Sequence, residues 1–196
     1  PYTIDTWDFT ADPISGQNRT IQLDEPMAAM HGDNTGVYQA MRQLAWMNER
    51  FGNAEKAQAW RTRAERLRAN VMKHLWNGRF FRHQLPLNCP PQDENEDRRL
   101  SMSDAYALNR GILTSDQCRS VIDEYRARRT VPEAYGEWYA IDRPYENFGP
   151  HPSHRKGEYV NGAMCPFTAG ELAKGAFESG YEAYGWDILE RLTKMV

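Results

Sequence analysis

Three times along this chain, a pair of runs with helical apolar spacing is followed or preceded by a long segment rich in Pro, Gly and aromatic residues. A buried helix face needs an apolar residue every three or four positions, so such pairs restrict the fold to stacked helical hairpins. The first pair covers 34–76. From Asp33 or Asn34, residue types that cap helices, Val37, Met41, Leu44, Ala45 and Met47 keep the period until Gly52 stops it. From Asn53 to about Trp76, Ala57, Trp60, Ala64, Leu67, Val71 and Leu75 share one face, with Arg, Lys and Glu on the other. The second pair, 101–128, breaks at Gly111 and carries Val121, Ile122 and Tyr125. The third, 163–196, breaks at Gly180 and carries Leu172, Ala176, Tyr184, Ile188 and Leu192.

The intervening segments read as loops. Asp12-Pro13, Ser15-Gly16 and Glu25-Pro26 punctuate the first thirty residues. Asn77-Gly78 turns the chain into a short extended piece at Arg79–Arg82, and a Pro-rich, acidic, exposed loop follows from Leu85 to Asp97. Residues 130–162 form the second long loop. The expectation is an all-α chain whose helical hairpins form about half of an (α/α)6 toroid, with strands absent beyond the ribbon near Phe80. Residues 1–196 then make a single catalytic region whose first hairpins lie upstream of Pro1. A complete three-hairpin solenoid is the alternative.

Composition narrows the function. Hydrophobic residues at 40% and charged residues at 26% of 196 are those of a globular domain. A formal net charge of −3 offers nothing for nucleic acid or an anionic membrane to grip, and no apolar run approaches the roughly 20 residues of a membrane helix. Cys89, Cys118 and Cys165 are odd in number and lack CxxC spacing, which argues against a disulfide framework and a zinc site. His31 and Asp33 are too few for a metal, and no phosphate-cradling loop or Gly-x-Ser-x-Gly elbow is present, so no cofactor is expected. Aromatic residues reach 12%, with six Trp and ten Tyr, and their flat faces suit sugar rings as well as cores. The expected partner is a carbohydrate.

Three short motifs lie in the loops: Trp7-Asp8, Tyr145-Glu146-Asn147-Phe148, and Gly157-Glu158-Tyr159 followed by Asn161-Gly162. In sequence and order they resemble the trehalase and processing-α-glucosidase group of toroid glycoside hydrolases, families 37 and 63. The resemblance implies an inverting glycosidase acting on α-linked glucosides or similar neutral sugars, with Asp8 as general acid, Glu146 as general base and Glu158 as a further carboxylate of the site. After Asp8 this chain reads Phe9-Thr10-Ala11-Asp12-Pro13, not the Asn-Ser-Pro-Arg type of continuation. The Asn161-Gly162 pair is also similar to sugar phosphorylases of related folds, in which phosphate replaces the base.

The chemistry supports two carboxylates independently of the family. Inverting hydrolysis needs one carboxylic acid at the leaving oxygen and one carboxylate on the opposite face, roughly 6.5–9.5 Å apart, so that a water fits between them. Loops distant in sequence but on one rim of a hairpin array can meet that spacing. Trp7 and Tyr145 would desolvate the neighbouring acids, and Trp7, Tyr145 and Tyr159 are candidates to bind the sugar together with His31, Asp33, Asn34 and Asn161. The plain alternative for Asp33 or Asn34 is helix capping, and for any single acid a solvated side chain. His151, His154, Arg155 and Lys156 form a basic loop, the only candidates for a phosphate pocket. A non-catalytic α/α module that holds a glycan or a protein is the competing function.

Overall fold

The computed structural model describes residues 27–88, 96–129, 135–146 and 155–195. They form six helices in three antiparallel hairpins: α1 (His31–Arg50) with α2 (Ala54–Leu75), α3 (Met102–Leu108) with α4 (Ser115–Arg128), and α5 (Pro166–Glu178) with α6 (Glu182–Thr193). The all-α expectation and the three hairpins hold. Among the described residues no helix is long and apolar enough to cross a membrane.

Several boundaries move for local reasons. α1 starts at His31 because an extended segment runs directly into it, with Met30 as its N-cap in β conformation. Asp33 and Asn34 therefore lie inside the first turn, and the Asn34 amide donates back to Met30 O at 2.7 Å. α5 begins at Pro166, three residues later than expected, where a ring without an N–H costs no helical hydrogen bond.

Strands are more extensive than expected. β1 (Ala28–Met30) pairs antiparallel with β2 (Gln84–Pro86), and β3 (Leu100–Ser101) pairs antiparallel with β4 (Ile141–Asp142). The anticipated ribbon near Phe80 is a single bridge between Trp76 and Phe81. These ribbons are too short to show a period, but each satisfies the backbone of a segment that enters an inner helix. Tyr139 and Met164 bridge in the same way just before α5. The N-termini of α1, α3 and α5 thus gather at one rim, where the connections after α2 and α4 return.

Two apolar clusters hold the array. Tyr38, Ala64, Val71, Leu75, Phe81, Ala107 and Ile112 join the first hairpin to α3, while Phe80, Val121, Ile122, Tyr125, Trp138, Leu172 and Ile188 join the other two. Neighbours Phe80 and Phe81, both fully buried, feed different cores. α3 and α5 approach closely because Gly175 faces Leu108: an added Cβ would lie 2.6 Å from Leu108 Cδ1. The third hairpin is tied down by Glu137, which is buried and receives the Arg191 guanidinium at 2.8 and 3.2 Å. That guanidinium also stacks on Trp138, 4.4 Å from the ring centroid.

α1 carries two apolar stripes. Tyr38 and Ala45 are buried, whereas Val37, Leu44, Met47 and Phe51 follow a second stripe exposed to solvent, Phe51 at 77%. On α5, at the far end of the array, Phe167 is exposed and Phe177 is partly exposed beside Gly185 of α6.

Candidate functional site at the helix-entry rim

The rim is built around buried polar side chains at the starts of α1 and α3. His31 Nε2 lies 2.8 Å from Ser101 Oγ and 3.6 Å from Asp104 Oδ2, and all three residues are buried. Asp104 closes a capping box with Ser101, whose N–H donates to it at 3.2 Å, and its other oxygen accepts the Phe81 N–H at 2.9 Å. One carboxyl group therefore ties α3 to the turn that follows α2. The Tyr125 hydroxyl completes the knot by donating to Ser101 O at 2.9 Å.

Burial pushes the Asp104 carboxyl up to about 8, against the pull of the two N–H groups it accepts. Burial, followed by the charges of His83 and Arg110, holds the His31 imidazole well below its ordinary value of 6.5. The linkage has a definite sign. Between about pH 4 and pH 8 the folded protein keeps an Asp104 proton that the unfolded chain has released, so this group's contribution to stability falls as pH rises. Urea melts from pH 5 to 8 should show the wild type losing stability relative to Asp104→Asn, by at most about 1.4 kcal/mol per pH unit. A difference that stays flat with pH would mean an ionised Asp104 in the fold.

A second polar group lies beside the first, because the His31 N–H donates to His83 O at 3.3 Å. Tyr145, buried, donates its hydroxyl to Glu96 Oε1 at 2.6 Å and lies 2.9 Å from His83 Nδ1. Because the one hydroxyl proton of Tyr145 is directed to Glu96, the hydroxyl oxygen accepts from His83, which donates from Nδ1 as a neutral ring. Burial and Arg99 agree by lowering His83 to about 4. Arg99 lies 3.7 Å above the Tyr145 ring, pairs with Glu96 at 3.3 Å and donates to Arg143 O at 2.9 Å. The expected exposure of the acidic loop from Leu85 to Asp97 fails at Glu96, whose side chain is 12% exposed because Arg99 and Tyr145 enclose it.

From this base the two acidic loops emerge. Glu146, next to buried Tyr145, is exposed and ion-paired with Lys156. Glu158 is exposed in the turn of 155–162, where Tyr159 adopts φ 42° and is 63% exposed. Asn161 is buried between the loops: its Oδ1 accepts the Tyr145 N–H at 2.8 Å and its Nδ2 donates to Tyr145 O at 2.9 Å. Gly162 makes the approach possible. At φ 109°, any Cβ there would lie 2.9 Å from Pro144 Cβ and 3.3 Å from Ile141 O.

The sequence-derived residues thus divide by position. Tyr145, Glu146, Glu158, Tyr159 and Asn161 come together, His31 joins them through His83, and Asp33 lies exposed in the first turn of α1. Trp7 and Asp8, with Asn147, Phe148, His151 and His154, lie outside the described residues. His83, Glu96, Arg99, Ser101 and Asp104 were not among the candidates. Only the Ser101-x-x-Asp104 spacing carries a local signal, that of a helix start. Among the described residues no group of three or more His, Cys, Asp or Glu could hold a metal ion.

Against known families, the profile of the mannosylglycerate hydrolase MGH1-like glycoside hydrolase domain matches residues 9–195. The chain belongs to this family. MGH1-like domains are glycoside hydrolase domains of the six-hairpin type, which agrees with the resemblance drawn from the motifs at that level. Among solved structures, a chain titled sialidase matches the fold of this MGH1-like domain with a TM-score of 0.61 at 16% identity. The match covers 93% of this chain and 16% of that one, so the hairpin array corresponds to a small part of a longer polypeptide there. A comparison with curated proteins gives no match.

Proposed function

We propose that this MGH1-like protein is a glycosidase that cleaves an α-linked, glucoside-type bond by single displacement with inversion. Asp8 protonates the leaving oxygen and Glu146 takes a proton from the attacking water, while Glu158 orients sugar or water. No cofactor enters this scheme. The observation that carries the reading is the pairing of the loops through Asn161, which makes Glu146 and Glu158 leave one rim in a chain of glycoside hydrolase descent. We further propose that residues 1–196 are part of one (α/α)6 toroid. The exposed apolar stripe on α1 is a face that a further hairpin would cover.

The test uses the full-length protein with α-glucosides and, from the family's name, mannosylglycerate. Proton NMR in the first minutes should show the β-anomer of glucose released from an α-glucoside. Release of the α-anomer would overturn single displacement. Binding of the sugars without turnover would instead indicate a glycan-binding module.

A further inference from the structure

Resting on the reading of Glu146 as base, we infer that Asn161 is a positioning residue that aims Glu146 through the backbone of Tyr145. Both main-chain polar groups of Tyr145 are held by this one buried carboxamide, at 2.8 and 2.9 Å. The Tyr145 carbonyl belongs to the rigid peptide unit that carries the Glu146 nitrogen, so fixing that carbonyl fixes the direction in which the chain enters Glu146. The Tyr145 ring cannot swing to relax a misplaced backbone. Arg99 covers its face, and Glu96 and His83 hold its hydroxyl.

Asn161 is anchored from its own side as well. Its N–H donates to Glu158 O and its carbonyl accepts the Gly157 N–H, both at 2.8 Å. A shift of Asn161 therefore moves Glu146 relative to the turn that carries Glu158. One N–H and the oxygen of the amide are both committed to the Tyr145 backbone, which assigns this side chain to aiming the base.

The test is a double-mutant cycle in the full-length protein with 4-nitrophenyl α-glucoside, and mannosylglycerate as second probe. Asn161→Ala should lower kcat about 10²-fold with KM little changed, the cost of a misplaced catalytic group. In the Glu146→Ala background, with azide as nucleophile, the same change should cost almost nothing, since the group it aims is gone. Asn161→Asp keeps an acceptor for the Tyr145 N–H but loses the donor to its carbonyl. With an acceptor buried against that carbonyl it should lower kcat at least as much as Ala, and Asn161→Ser carries the cycle if Asn161→Ala does not fold. Equal losses in both backgrounds, or a loss confined to KM, overturn the positioning role while leaving Glu146 as base. Near-normal turnover by Glu146→Ala overturns the base reading and this inference with it.

Discussion

Asp8→Asn in the full-length protein should reduce turnover of an unactivated glycoside by about 10³-fold, the scale of a lost general acid, and leave folding intact. The amide is close in size to the carboxyl but has no proton to give, so the glycosidic oxygen must leave as an alkoxide. Substrates whose leaving groups need no proton bypass that difficulty. A glycosyl fluoride or a 2,4-dinitrophenyl glycoside should therefore be hydrolysed at nearly the wild-type rate. The measurement is kcat/KM for both substrate types on the same preparation. An equal loss on activated and unactivated substrates would reassign Asp8 to binding the sugar.

Glu146→Ala should produce a loss of similar size for the opposite reason, because the attacking water then has no base and good leaving groups give no relief. The vacated space can admit a small anion. Azide should restore turnover of an activated α-glycoside and yield a β-glycosyl azide, since it attacks from the side the water used. Glu158→Ala should show no such rescue if Glu158 orients sugar or water. The exposed Glu146–Lys156 pair does not oppose this role, because an ion pair in water is worth only about 0–1 kcal/mol and breaks readily when substrate enters. Rescue at Glu158 instead would move the base to that residue. Full activity in both variants would remove two-carboxylate hydrolysis altogether.

The helices were legible because their causes are local. Ala57, Ala64, Val71 and Leu75 are buried on α2, Val121, Ile122 and Tyr125 on α4, and Leu172 and Ala176 on α5, all at positions that apolar spacing marks in advance. Gly52, Gly111 and Gly180 end runs where φ is positive, a preference that resides in the residue itself. α1 shows the limit of such reasoning. Val37 and Leu44 of the expected stripe stay exposed, while Ala45 of that stripe is buried together with Thr35 and Tyr38, because a helix with two usable faces takes its orientation from its neighbours.

The rim depended almost wholly on tertiary structure. Two of the acidic loop residues, Glu146 and Glu158, could be singled out from short motifs, but nothing local joins them. Their link, Asn161, reaches Tyr145 across 16 positions. His31 meets Ser101 across 70, and Asp104 meets the Phe81 N–H across 23. A polar side chain carries no periodicity that identifies its partner; it is buried only where the folded chain supplies a donor or acceptor, since an unmatched group would cost the full desolvation penalty. The sequence alone therefore determined the hairpins and their order, through residue spacing and turn chemistry. Which face of α1 is covered, and which polar residues aim the acidic loops, was decided by long-range pairing that exists only once the hairpins have packed.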